Sequence, residues 1–286
     1  MDSTACGTAF FRASENLMDE NVRIVSDEYA QYLLPYKYRL FLYWMRNKRF
    51  YNKMMELRQK MTPGIYGDII CRTRYIDDCI IQNVNNGIKS IVNLGAGLDT
   101  RPVRLSFLRD IPYYEIDQTD VIVYKQKIIE KNNLLHLHNT HYISMDFETS
   151  NLRKALSDAE YNFIDSTLFI MEGVTQYISK EAFQDNLSMI TSAPKGSAFV
   201  FSYVPTETFS QFERNSSDHL LLRQFKKAGI RRLTSYLTSE IDNILMRFRF
   251  SVIENIGSAE YHSRYLAPIN RKLEIAPLER IVYAKR

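Results

Sequence analysis

Three cysteines in 286 residues are too few for a disulfide framework, and at positions 6, 71 and 79 they make no metal-ligand spacing. Cys6, Cys71 and Cys79 are therefore expected as free thiols in a reducing cytosol, with no metal site. No apolar run reaches the length of a membrane span, and the polar start MDSTACGTAF does not read as a signal peptide. A cytoplasmic protein without a membrane partner is the expectation. The net charge is only +4, which does not by itself point to nucleic acid. The chain shows no internal repeat, low-complexity tract or obvious linker, and no Ser/His/Asp or Cys/His arrangement that announces covalent catalysis. The phosphate-cradling pattern GxxxxGK[ST] is missing too. The remaining composition, 45% hydrophobic and 24% charged, is ordinary for a soluble globular protein long enough to form one large α/β domain.

What is present is organised around residues 88–117, IKSIVNLGAGLDTRPVRLSFLRDIPYYEID. Ser90-Ile91-Val92-Asn93-Leu94 is a short β-branched run that stops at Gly95-Ala96-Gly97, the pattern of a buried strand ending in a glycine turn. A second strand, Pro112 to Asp117, ends in an acid twenty residues after Gly97. In nucleotide-binding α/β folds an acid so placed accepts hydrogen bonds from a ribose diol. A dinucleotide fingerprint would need a third glycine at position 100, where this chain has Thr100, so a pyrophosphate is not favoured. S-adenosylmethionine, with a ribose and an adenine but no phosphate, fits what remains.

Before this stretch the sequence reads as helical, over 14–34 and 36–60, with Leu40, Tyr43, Trp44 and Tyr51 among the bulky members. Thr62-Pro63 then opens a helix that runs to Asn86-Gly87. Within it Ile69, Ile70, Ile76, Ile80 and Val84 recur at helical spacing and should face the core. Eight tyrosines between Tyr29 and Tyr75 are expected mostly in the core, with an aromatic acceptor pocket as the alternative. From Ile88 strands alternate with helices, which implies a mostly parallel sheet. The later strands are expected at 141–146, 167–172, 197–203, 250–254 and 279–284, with helices at about 119–132, 150–158 and 180–191. A largely helical insertion spans about 205–247. The division is thus an N-terminal helical lid, 1–87, and a core, 88–286.

Leu94-Gly95-Ala96-Gly97-Leu98-Asp99-Thr100-Arg101, followed by Glu115-Ile116-Asp117, resembles the leucine carboxyl methyltransferase family. Arg12-Ala13-Ser14-Glu15, Arg72-Thr73-Arg74 with Asp77-Asp78, and Met171-Glu172-Gly173 match its pattern as well. The resemblance extends from about residue 9 to about residue 200. It implies an α/β class I methyltransferase fold, Rossmann-like: a seven-stranded, mostly parallel sheet with helices on both faces and the last strand antiparallel. It also implies the cofactor S-adenosyl-L-methionine and a residue set to hold it. Gly95 and Gly97 form the turn, and Asp117 takes the ribose. Asp146 and Phe147 match the adenine pair, and Glu172 lines the methionine end. Arg72 matches the arginine that pairs with the cofactor's carboxylate, where a planar charged fork suits the geometry. Arg74, about 200° around the helix from Arg72, is left to packing or to Asp77 or Asp78. Arg12 either reaches the same carboxylate or is solvated.

No catalytic residue is identified. His136, His138 and His141 lead into a strand at its amino end and are expected in a solvated loop; His219 and His262 receive no role. The basic run Arg223 to Lys227, with Arg231-Arg232, reads as a solvated helix face or as a steering patch for an acidic substrate. The expected activity is O-methylation of a carboxylate on a small, acidic, polyketide-like molecule, which needs no dedicated base. The alternatives are methylation of a protein's C-terminal carboxylate, methylation of a small-molecule hydroxyl, and an inactive cofactor-binding module.

Overall fold

The computed structural model describes residues 3–134, 139–208 and 234–286. Its N-terminal section contains α1 (Ser3–Glu15), α2 (Ala30–Leu33), α3 (Tyr36–Met45), α4 (Lys48–Met61) and α5 (Ile65–Asn85). The continuous helix expected over 14–34 does not form, because distant side chains claim the groups a helix would use. The Glu15 carboxylate accepts the Ile24 N–H at 2.8 Å and is held by Arg271, while Asp27 Oδ1 accepts the Ala30 N–H at 3.0 Å and opens α2. The helix expected over 36–60 is two helices. Asn47 leaves the helical path (φ −72°, ψ 115°), and its side-chain oxygen accepts the N–H groups of Arg49 and Phe50, both at 3.1 Å.

Thr62 does not cap α5 but closes α4. The turn into α5 is made by Gly64 at φ 73°, where an added Cβ would lie 2.2 Å from the Ala276 nitrogen. Only glycine combines that φ with that approach. Ile70, Ile76 and Ile80 of α5 are buried as expected, with Ile69 and Val84 packed against the same core. Tyr51 is buried too; Tyr36 and Tyr43 are exposed, unlike most of the eight tyrosines, and so are Leu40 and Trp44.

The sheet comprises β1 (Ser90–Leu94), β2 (Tyr113–Asp117), β3 (Thr140–Ser144), β4 (Thr167–Met171), β5 (Ala198–Tyr203), β6 (Ser251–Ile256) and β7 (Arg280–Lys285). The order is β3-β2-β1-β4-β5-β7-β6, parallel except for β7, which is antiparallel to both neighbours. The chain works outward from β1 through β2 to β3, then returns to the other side of β1 with β4. That reversal is the switch point where open α/β sheets bind ligands. Between strands lie the single turn α6 (Arg101–Arg104), then α7 (Thr119–Lys131), α8 (Leu152–Asp158), α9 (Lys180–Ile190) and α10 (Thr238–Arg247).

Because strand side chains alternate, the central strands feed two cores. Ile91, Leu168, Ile170 and Val200 face α1 to α5, while Val92, Leu94, Phe169, Met171 and Phe199 face α8 to α10. Of the expected insertion at 205–247, residues 209–233 lie outside the described residues, and with them the basic run at 223–232 and His219. Among the described residues no helix is long and apolar enough to cross a membrane.

Candidate functional site

The glycine turn sits where β1, β2 and β4 end together. Gly95 (φ 77°) and Gly97 (φ 48°) adopt left-handed backbone. A Cβ on Gly95 would come within 2.1 Å of Val174 Cγ2, so the turn is closed to any side chain from the β4 side. From the β2 side, the Ile116 carbonyl accepts the N–H groups of Gly95 and Ala96 at 2.8 and 3.1 Å. Asp117 follows directly. Its Oδ2 accepts the Gly97 N–H at 2.6 Å and its Oδ1 accepts the Gln118 N–H at 2.7 Å, which orients the carboxylate at the mouth of the turn.

Beside the turn runs a chain of buried ion pairs. Arg12 on α1 meets Asp27 at 2.8 Å; Asp27 is 4.0 Å from Arg104, and Arg104 is 2.7 Å from Asp77 on α5. Asp77 meets Arg101 at 2.8 Å, Arg101 meets Glu172 at 3.0 Å, and the other oxygen of Glu172 lies 3.0 Å from Arg72 Nε. Arg72 ends the chain against Glu279, just before β7, at 2.6 Å. Asp99 braces Arg101 at 2.7 Å and is itself held by Asn93 of β1 at 2.8 Å. Thr100, where a third glycine would stand, donates to Asp27 at 2.6 Å.

Burial would by itself raise the carboxylic acids in this chain. At Glu172, Arg101 and Arg72 outweigh it and hold the carboxyl below the ordinary range. Asp27 is lowered likewise by Arg12 and Arg104, and Asp99 chiefly by Arg101. Asp68 goes the other way: burial, with Glu279 and Glu172 nearby, pushes it up to about 8 despite Arg72. Its Oδ1 is buried without a hydrogen-bond partner among the described residues, and Arg72 stands off at 3.7 Å. Leaving Asp68 aside, the cluster sets five carboxyl groups (Asp27, Asp77, Asp99, Glu172, Glu279) against four guanidinium groups (Arg12, Arg72, Arg101, Arg104), a buried site with a formal excess of one negative charge. Removing Arg101, which holds Asp77, Asp99 and Glu172, would leave buried charge uncompensated, at about 3–5 kcal/mol.

The structure brings together Gly95, Gly97 and Asp117, and separately Glu172 and Arg72, all at neighbouring strand ends. Asp146 lies two residues past β3, in a segment joined to β2 by a 2.8 Å bond from the Met145 N–H to the Asp117 carbonyl. It is exposed, and its Oδ1 accepts the Glu148 N–H at 2.9 Å. Phe147 is buried in the second core, and its carbonyl accepts from Asn186. Arg74 pairs with Asp78 at 2.8 Å and faces away from Arg72. Arg12 is not solvated: it is buried on Asp27 and also donates to the Leu98 carbonyl at 2.5 Å. His141 is exposed on β3 and stacks on the Tyr114 ring at 4.6 Å; His136 and His138 lie outside the described residues.

Sequence reading missed Asp27, Asp68, Asp77, Asp99, Arg101 and Glu279 as members of this cluster. Arg101 and Asp99 stand inside the most specific motif and Asp77 beside Arg74, so their positions were visible but not their roles. Glu279 carries no local signal, being 207 residues from Arg72.

A profile of the leucine carboxyl methyltransferase family matches residues 5–191 of the chain. A protein of Mycolicibacterium gilvum, whose name places it provisionally among S-adenosyl-L-methionine-dependent methyltransferases, is 31% identical over 152 residues, which is 52% of this chain and 48% of that one. YktD of Bacillus subtilis, provisionally named in the same way, is 24% identical over 219 residues, 75% of this chain and 70% of that one. The chain thus spans about half the length of the first of these relatives. Among solved structures, a DUF574 family protein from Streptomyces avermitilis covers 96% of both chains with a TM-score of 0.59 at 12% identity. The magnesium protoporphyrin IX methyltransferase of Synechocystis, solved with bound SAH, covers 82% of this chain and 94% of its own with a TM-score of 0.50 at 13% identity. At such identities the likeness is one of fold, and that fold is the class I methyltransferase sheet.

Proposed function

Because the chain belongs to the leucine carboxyl methyltransferase family, we propose that it is an S-adenosylmethionine-dependent O-methyltransferase acting on the carboxylate of a small molecule. One arrangement carries this reading: an oriented carboxylate at a glycine turn, beside a buried arginine–carboxylate cluster, on adjoining strand ends of a class I sheet. The residues present suit that cofactor. Asp117 would hold the ribose diol, with Asp146 and Phe147 at the adenine. Arg72 has Nε and Nη1 engaged by Glu172 and Glu279. Its Nη2, 3.7 Å from where a Cβ on Gly173 would sit, takes no partner among the described residues. That leaves one charged N–H edge for the cofactor's carboxylate. The negative excess of the cluster favours a ligand of net positive charge in a site of low polarity.

When bound, S-adenosylmethionine supplies an electrophilic methyl group on a sulfonium. The protein's part is to align and to exclude water. An acceptor carboxylate ordinarily titrates at about pH 4 and is ionised at neutral pH, so no side chain must take a proton. Bringing it out of water beside the cation favours a transfer that neutralises both charges. The N-terminal section lays Ala5, Arg12 and Asp27 against the turn and its flank and Arg72 against Glu172, which supports a role for residues 1–87 as a lid.

The test is chemical. Candidate acids and matched phenols are incubated with methyl-labelled cofactor, and the products are treated with mild alkali. Methyl esters hydrolyse and aryl ethers survive. Alkali-labile product from acids is expected; alkali-stable product from phenols alone would sink the carboxyl assignment, and no transfer with no S-adenosylhomocysteine binding would sink the activity.

A further inference from the structure

Helices α3 and α4 carry an imbalance that the chain's average conceals. From Tyr36 to Met61 stand eight lysines and arginines against a single acid, Glu56. That is +7 within 26 residues of a chain that totals +4, so everything else sums to −3. Lys37, Arg39, Arg46, Arg49 and Lys53 have no carboxylate within ion-pair distance among the described residues. Lys48 reaches only the exposed Asp19, at 3.5 Å, and Lys60 reaches Glu56.

The same hairpin shows apolar surface that the fold has not used. On α3, Leu42 and Met45 face the core. Tyr36, Leu40, Tyr43 and Trp44 stand at i, i+4, i+7 and i+8, one continuous stripe on the opposite side. All four are exposed, Tyr36 at 77% and Trp44, the only tryptophan, at 60%. Phe50 meets Trp44 edge-on with ring centres 6.4 Å apart and carries the surface onto α4. By helical geometry Lys37 flanks the stripe on one side, and Arg39 and Arg46 flank it on the other.

Rings and aliphatic groups flanked by cations on both sides match the boundary between lipid headgroups and acyl chains, where the rings bury and long basic side chains reach phosphate. Charge decides among occupants. A second copy would set +7 against +7. A nucleic acid would satisfy the cations but leave Leu40, Leu57 and Met61, all exposed, in water. We propose that this face of α3 and α4 docks on the surface of an anionic lipid bilayer, with the aromatic stripe in the headgroup region. The attachment is peripheral and does not depend on the methyltransferase reading. It revises the expectation of no membrane partner, which rested on apolar run length and whole-chain composition, neither of which reports on one face of a hairpin.

Trp44 is a built-in probe. With phosphatidylserine–phosphatidylcholine vesicles, the full chain should co-sediment and its indole emission should shift to the blue; pure phosphatidylcholine should produce neither effect. Lys37→Glu combined with Arg46→Glu should weaken partition at least about tenfold, since each basic residue near such a surface contributes about fivefold. Tyr43→Ser, which removes a ring but no charge, should weaken it too. All three sites are exposed, so the variants should keep the wild-type melting curve and S-adenosylhomocysteine affinity. The proposal fails if anionic vesicles do not bind, or if Tyr43→Ser binds like wild type. It also fails if the blue shift follows protein concentration without lipid, or if a single-stranded oligonucleotide binds while vesicles do not.

Discussion

Asp117 is held by two backbone N–H groups, one from the glycine turn and one from its own successor, so its orientation is a property of the backbone. Removing the carboxylate takes an acceptor from the Gly97 N–H as well as from the ligand. Asp117→Ala is expected to lower S-adenosylhomocysteine affinity at least about tenfold, a charged acceptor being worth about 1.5–3 kcal/mol per hydrogen bond. Calorimetric titration gives the answer, and an unchanged dissociation constant would reduce Asp117 to a support for Gly97. At this scale the sequence was legible where a residue's neighbours in space are also its neighbours in motif: Gly95, Gly97 and Asp117 lie within one βαβ unit. It was partly legible at Arg72, whose place at the site could be seen but not its bonds to Glu172 and Glu279. Ion pairs have no periodicity, so Asp27 and Glu279 left no trace that a pattern could detect.

The central strands β1, β4 and β5 are buried throughout and read as nearly continuous hydrophobic stretches, whereas the edge strands β3 and β6 are largely exposed and were placed by the alternation of strands with helices. The N-terminal helices were misread at their joints. Polar caps decide those, and Asn47 sits inside a sequence with helical character on both sides. Asn47→Ala should cost about 1 kcal/mol, the typical loss of a cap, whereas Asn47→Asp should retain most of it. Urea unfolding of the three proteins would measure this; equal midpoints for Ala and wild type would mean that packing, not the cap, separates α3 from α4. The segment 16–29 teaches the converse: Glu15, Asp27 and Arg271 hold it out of a helix by contacts that its local sequence does not announce.

For the molecule as a whole, burial of carboxyl groups sets the response to pH. Asp68 is raised from 3.8 to about 8 by burial, and Glu115, buried on β2 against Lys125, from 4.5 to about 7. Across that interval the unfolded chain has released protons that the native state keeps, so stability falls as pH rises. Below about pH 4 the sign reverses, because Asp27, Asp99 and Glu172 are lowered in the native state and lose that advantage as they protonate. Unfolding free energy in urea should therefore be greater at pH 5 than at pH 8. Asp68→Asn, a neutral isostere of the protonated acid, should flatten that fall and help most at pH 8. A wild-type curve level between pH 5 and 8 would refute the assignment.

The bond from Arg72 to Glu279 has a consequence in time as well as in space. As a nascent chain lengthens, the glycine turn, Asp117 and even Glu172 are all present well before residue 279 is added. Until then the guanidinium has only part of its final company, and nothing fixes it from the β7 side. The residue that leads into β7, the last of these seven strands to be synthesised, is thus also the one that completes the cradle, and a partly synthesised chain carries the motif without the finished site.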